Sequence, residues 1–236
     1  MIALNFHTEE LHDDRVWRRL WGLAQWMARK GVQVTFFVYP FRAQVADRDI
    51  TERVQTLAEL GHEIGQHTHF YAGVKIDEPG KENDLSDTHM VYCLQRDFKT
   101  LCEMGIQPRG FTTGAWVINE TVLKTLVELG FAYDCSARFP KRKRVTPLPN
   151  QRWLQSMEIY QGTLLCLPTT CSLGEWFKGG YKVTICEEIP HHLVYLHDYD
   201  LLRTPIYFLV WLFGWLNRKE LVPVGRLSEQ VRDHKS

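Results

Sequence analysis

Histidines and carboxylates recur in this chain immediately after short apolar runs. His7 is followed by Thr8-Glu9-Glu10, a second run ends in His67-Thr68-His69, a third in Thr112-Thr113, a fourth in Asp134, and a late one in His197-Asp198-Tyr199-Asp200. Imidazoles and carboxylates brought to one place form the donor set of a hard or borderline divalent cation such as zinc. A cation held that way acidifies water and polarises an oxygen-bearing centre, so the chemistry open to such a cluster is metal-assisted hydrolysis. The residues alone leave plainer readings open. His67 and His69 could be two loop histidines, His7 a loop cap, His197 a hydrogen-bonded interior histidine and Asp134 a turn residue.

Convergence of these groups needs a scaffold, and the remaining sequence describes one. Four amphipathic segments end at a glycine and run directly into an apolar stretch: Lys30-Gly31-Val32, Leu60-Gly61-His62, Met104-Gly105-Ile106 and Leu129-Gly130-Phe131. Glycine just past a helix end can take the left-handed conformation that turns the chain back toward a sheet, which predicts repeated βα units. Trp17, Leu20, Trp21, Ala24, Met27 and Ala28 make one apolar helical stripe, and Val91, Leu94, Phe98, Leu101 and Cys102 make another. Between them, residues 2–6, 32–38, 63–66, 109–112, 131–134 and 193–196 are short and apolar enough for strands buried on both faces. This alternation predicts an α/β fold around a parallel sheet, open or closed into a barrel. Such sheets bind ligands at the C-terminal ends of their strands, where the polar residues above stand. Residues 140–188 lose the pattern and read as a strand-rich excursion, with Lys141-Arg142-Lys143-Arg144 as a solvated loop.

Composition sets the outer bounds. The 236 residues are 44% hydrophobic and 24% charged, enough for a full core in one domain and unlike collagen, coiled coils or disordered chains. Lys+Arg and Asp+Glu are equal at 28 each, so no positive field gathers nucleic acid, and no nucleic-acid partner is expected. The six cysteines contain no Cys-x-x-Cys pair and the opening apolar run is too short for a signal peptide, which together suggest reduced thiols and a cytoplasmic location. His12, His89, His191 and His192 are taken as surface histidines, and Asp13 and Asp14 as the start of the first helix, favourable against its dipole.

Several segments resemble the polysaccharide deacetylase, or NodB-homology, family of metal-dependent carbohydrate deacetylases. Gly61-His62-Glu63-Ile64-Gly65-Gln66-His67-Thr68 is similar to that family's Gly-His-Glu-Ile-Gly-Asn-His-Thr/Ser segment, whose last histidine binds the metal. Val34-Thr35-Phe36-Phe37-Val38, Pro108-Arg109-Gly110-Phe111 with Gly114-Ala115-Trp116, Tyr133-Asp134-Cys135-Ser136 and Leu196-His197-Asp198 are similar to its other motifs, in the same order. The resemblance implies a single domain over 1–236, a distorted parallel (β/α) barrel with its core in 1–200 and a C-terminal helical segment in 201–236. The departures are specific. Phe6-His7-Thr8-Glu9-Glu10 stands where the family has Phe-Asp-Asp, which puts His7 on the base position and Glu9 or Glu10 on the ligand position. Tyr71 occupies the second metal histidine, with His69 as a substitute, and Thr112 replaces the arginine that orients an aspartate base.

What the resemblance implies is removal of an N-acyl group, acetyl or formyl, from an amino sugar or glycan. The cofactor would be a divalent metal, zinc first, held by His67, His69 and Glu9 or Glu10. His7 would be the base, His197 the general acid, and Asp134 or Asp198 a carboxylate orienting one of these imidazoles. Tyr71, Thr112, Thr113, Trp116 and Asp198 would meet the carbohydrate. The rivals are a carbohydrate-binding relic without turnover and a cyclic amide hydrolase, the latter from Leu4-Asn5-Phe6 and the acidic residues after it. Residues 201–216 are apolar all round and Trp-rich, with Arg203 near one end and Arg218-Lys219 after the other. They could lie in a membrane interface beneath a lipid-linked substrate; a helix buried against the barrel is the favoured reading.

Overall fold

The computed structural model describes residues 1–70, 85–139, 150–179 and 191–233. Lys141–Arg144 and Tyr71 lie outside them. Nine strands form one sheet in the order β6-β7-β5-β4-β3-β2-β1-β9-β8, where β1 is Ile2–Thr8, β2 Thr35–Val38, β3 Glu63–Thr68, β4 Gly110–Thr113, β5 Tyr133–Asp134, β6 Glu158–Tyr160, β7 Leu164–Cys166, β8 Cys171–Ser172 and β9 His192–His197. All pairings are parallel except β6 with β7. The helices include α1 (Asp14–Arg29), α2 (Pro40–Val45), α3 (Thr51–Glu59), α4 (Asp87–Glu103), α5 (Glu120–Glu128), α6 (Leu173–Phe177), α7 (Thr204–Asn217) and α8 (Val224–Asp233).

One continuous stretch bends the sheet toward a barrel. Residues 164–172 leave β5 as β7, pass through Leu167 N–H to Asp134 O (2.8 Å) and Thr169 N–H to Ala137 O (2.8 Å), and reach Leu193 through Thr170 N–H (3.0 Å). They then pair with β9 as β8, so the two ends of the parallel sheet share one segment. This is the excursion that breaks the βα pattern in the sequence.

The glycine signal holds at all four junctions: Gly31, Gly61, Gly105 and Gly130 have φ of 69°, 84°, 83° and 81°. Strand alternation divides the interior into two shells. Leu4, Phe6, Phe36, Val38, Ile64, Val194 and Leu196 face outward against Leu20, Ala24, Val54 and Leu57 of the helices. Ala3, Phe37, Tyr133, Cys135, Leu165, Leu167 and Leu193 face inward, where Val224, Leu227 and Val231 of α8 plug the end of the barrel opposite the C-terminal strand ends. Glu63 seats that plug, accepting from Thr35 Oγ1 (2.7 Å), Tyr133 Oη (2.8 Å) and the Gly225 N–H (2.8 Å).

Three sequence expectations change. The buried face of α1 is Val16, Leu20, Leu23, Ala24, Trp26 and Met27, rotated from the expected stripe, and Trp17 and Trp21 stack on each other half-buried. His191 and His192, expected at the surface, are 1% and 8% exposed because β9 begins there against β1. Helix α7 buries Val210, Phe213 and Gly214 but leaves its opposite face exposed, so it is only half the buried helix expected. Asp13 does cap α1, accepting the Arg15 N–H (2.7 Å). Among the described residues no disulfide joins the cysteines, four of which are buried.

Candidate active site

The inward row places the chemistry. His7 lies two residues beyond Asn5 and four beyond Ala3 on β1, in register with Phe37 of β2 and His197 of β9. His67 lies two beyond Gly65 on β3, opposite Thr112. All three imidazoles therefore open on the same mouth, into a cavity of about 260 Å³ that Glu9, His69, Thr113, Gly114, Trp116 and Tyr199 also line.

At its floor, Glu9 Oε1 stands 3.2 Å from His67 Nε2 and 3.2 Å from His69 Nε2, and the two nitrogens are 3.1 Å apart. His67 Nδ1 is 3.0 Å from the Thr112 carbonyl, which can only accept, so the proton sits on Nδ1 and Nε2 presents a lone pair. Burial keeps that ring neutral, lowering its pKa despite Glu9. That lone pair faces a carboxylate oxygen and a second imidazole nitrogen. Burial works against the charge on Glu9, yet the close approach of the His67 and His69 imidazoles holds its pKa well below the usual carboxylate range. The donor set, one carboxylate oxygen and two imidazole nitrogens all within 4.8 Å of one another, fits a divalent cation with open positions.

Around this trio stand two further imidazoles. His7 is buried between Tyr195 (ring centroids 5.1 Å), His67 (4.8 Å) and the edge of His197 (5.3 Å). Burial, then the neighbouring imidazoles, push its pKa well below the ordinary value, so it is neutral. His197 differs: burial opposes its charge, but Asp200 at 3.7 Å from Nδ1 and the field of Glu9, 3.7 Å from Nε2, raise its pKa overall. Tyr199 stacks on it at 4.8 Å. The wall opposite turns through Ala115 and Trp116, both at positive φ (52° and 61°), a strained conformation that a site tolerates where the wall must be placed closely. Gly114 precedes them because a Cβ there would lie 2.2 Å from His69 Nδ1.

No family model matches the sequence, and no curated protein does. Solved structures do. A protein from Mycobacterium smegmatis provisionally described as a polysaccharide deacetylase superimposes with a TM-score of 0.66 at 17% identity, over 99% of this chain and 90% of that one. A family 4 acetyl xylan esterase from Clostridium thermocellum, solved with a cobalt ion, gives 0.54 at 14% identity over 96% and 89%. A family 4 pseudoenzyme from Bacillus anthracis gives 0.56 at 11% identity over 97% and 65%. The chain has the polysaccharide deacetylase fold.

On this deacetylase scaffold, His7, Glu9, His67, His69, His197, Thr113 and Trp116 meet at one cavity, and four expected residues do not. Glu10 turns away to Arg42 (2.9 Å) and His12 (3.3 Å), which leaves Glu9 as the carboxylate of the trio. Asp134 points outward between strand and helix layers, where Ser136 donates both its N–H and its hydroxyl; burial pushes its pKa up to about 6. Among the described residues Asp198 hydrogen-bonds no imidazole. Its buried carboxyl, pushed up to about 7 by burial, accepts the Glu10 N–H (2.9 Å) and the Tyr199 N–H (2.8 Å), fixing the loop that carries Glu9. Thr112 contributes its carbonyl to His67, while its hydroxyl is buried without a hydrogen-bond partner among the described residues.

Sequence reasoning missed Tyr39, whose ring packs 5.0 Å from His69, and Tyr199 and Asp200 around His197. Asp200 had a readable signal, three residues after His197 in the same polar run. Tyr39 had none.

Proposed function

We propose that the chain removes an N-acyl group, acetyl or formyl, from an amino sugar or glycan, with a divalent cation, zinc first, held by Glu9, His67 and His69. The observation that carries this is Glu9 Oε1 at 3.2 Å from both Nε2 atoms, at the floor of a cavity that two more imidazoles enter. Bound there, the cation supplies a Lewis acid for the acyl carbonyl and lowers the pKa of water. His7, neutral, offers a lone pair to the proton of the attacking water. His197, with Asp200 at its Nδ1 and its charged form favoured, holds a proton at Nε2 for the departing amine, which leaves too slowly unprotonated. Trp116 and Tyr199 give the cavity two aromatic walls against which a sugar ring can pack. The deacetylase and esterase descriptions of the structural neighbours support acyl transfer to water on a carbohydrate.

The test is metal content and acetate release from N-acetylated glucosamine oligomers. His67→Ala should lose both, and His197→Ala should keep the metal while slowing turnover by about 10²–10⁴-fold. A His67→Ala protein that retains metal and turnover refutes the assignment.

One observation favours a second reading, a carbohydrate-binding protein without turnover. The group at the base position is a buried imidazole whose pKa is driven down, which weakens it as a base. Metal binding and saturable binding of the same oligomers with no acetate released would establish that reading.

A further inference from the structure

Helix α7 departs from the rest of the surface. One face packs inward through Val210, Phe213 and Gly214, with Trp211 stacked on Trp26 of α1 at 4.2 Å. The other face leaves Phe208 66%, Leu212 42%, Trp215 50% and Leu216 58% exposed, with Trp211 itself 41% exposed. Positions 208, 211, 212 and 215 fall at helical spacing, so these side chains make one continuous stripe. A contiguous exposed patch of large apolar residues is uncommon on a protein that meets only water.

Cations bracket the stripe. Arg203 is exposed at its N-terminal end, where Arg19 also binds the Leu201 carbonyl (2.8 Å) and lies over the Tyr207 ring. Arg218 and Lys219 are exposed at its C-terminal end, and the Arg218 guanidinium lies 5.6 Å over the Trp215 ring. Among the described residues, Glu220 is exposed beside the second pair and Asp200 lies 4.0 Å from Arg203, so Arg19, Arg203, Arg218 and Lys219 outnumber the two acids. Tryptophans on an apolar face with arginine and lysine at its margins match the depth profile of a lipid headgroup region: apolar groups below, indoles at the boundary, cations at the phosphates. At 14 residues the helix is about 21 Å long, suited to lying along a surface and short of the ~30 Å needed to cross a bilayer. Among the described residues no helix is long and apolar enough to cross.

We infer that the exposed face of α7 docks on the surface of an anionic lipid bilayer. The 3₁₀ turn Asp198–Leu202 joins the cavity wall at Tyr199 directly to the start of α7, and Tyr199 and Leu202 are themselves partly exposed. Docking therefore sets the mouth of the cavity close to the membrane plane, where a sugar carried on a lipid would be presented. That consequence for substrate rests on the proposed function; the docking itself does not.

The experiment is co-sedimentation of the full chain, without added metal, with vesicles of phosphatidylcholine and phosphatidylglycerol or of phosphatidylcholine alone. The protein should sediment with the anionic vesicles. Leu212→Glu with Trp215→Glu should lower the bound fraction at least about tenfold, and Arg218→Glu with Lys219→Glu should lower it on anionic vesicles. All these side chains are exposed, and thermal unfolding confirms that each variant is folded. No binding to either vesicle overturns the inference. So does a wild-type dimer in analytical ultracentrifugation that Leu212→Glu dissociates, with no vesicle binding, since a second copy would then cover the stripe. Neither result bears on metal content or acetate release, so docking and hydrolysis fail separately.

Discussion

Replacing Gly114 by alanine tests the metal site without removing any of its ligands. The added Cβ would lie 2.2 Å from His69 Nδ1 and 2.3 Å from Cγ and Cε1, whereas ordinary contact begins near ~3.5 Å. The imidazole must therefore retreat by about 1.3 Å, and the Tyr39 ring, centroid 5.0 Å away, blocks part of that path. Ligand distances in a zinc site tolerate only about 0.2 Å, so His69 leaves the donor set and two ligands remain. Zinc affinity should fall by at least about 100-fold, measured by competition with a chelating dye, since disturbing even an outer-shell partner costs about 10–100-fold. Overpacking should also cost about 1–3 kcal/mol in the metal-free protein, a drop of roughly 2–12 °C in Tm. Adding His69→Ala to Gly114→Ala removes the collision, so Tm should recover while zinc binding does not. Zinc affinity within about threefold of the parent, with Tm unchanged, would refute both the placement of His69 and its role.

Two other expectations concern stability. Burial lowers the pKa of His191 to about 4, and neither of its nitrogens has a hydrogen-bond partner among the described residues. The unfolded chain takes up that proton near the ordinary histidine value, so the stability present above it is lost as pH falls from about 6.5 to about 4, by up to ~3 kcal/mol. Urea unfolding across this window should show the loss in the parent and much less in His191→Leu; equal slopes would remove the assignment. At the other end of the barrel, Glu63→Ala leaves Tyr133 Oη, Thr35 Oγ1 and the Gly225 N–H without their acceptor, costing about 3 kcal/mol. Because β3 separates Glu63 from His67 by about 13 Å, zinc affinity should be unchanged, and a parallel loss of metal would show that the two ends are coupled.

The βα repeat was legible in the sequence because its signals are local. A glycine after a helix, an apolar stripe and a short apolar run each act within a few residues, and all four glycines adopt the left-handed turn. The histidines at the strand ends were legible for the same reason: strand alternation puts His7, His67 and His197 on the inward row once the strands are recognised. The rotation of α1 was not, because Trp17 and Trp21 satisfy the same helical period as the face that is buried, and the choice is made by what lies across the interface.

Side-chain direction after a strand ends was decided only by tertiary structure. Glu9 and Glu10 are adjacent, chemically identical and equally placed by sequence, yet Glu9 faces His67 and His69 while Arg42 of α2 draws Glu10 away. Asp134 closes β5 on the face opposite Tyr133, where Ser136 occupies it, and Asp198 follows β9 but is occupied by the backbone of the opening loop. The sequence determined which residue types gather at one end of the barrel, through periods of two and 3.6 that the backbone enforces. Which of them touch depended on partners far along the chain, because a loop carboxylate goes to whichever donor the fold brings within about 3 Å, and no local period encodes that distance.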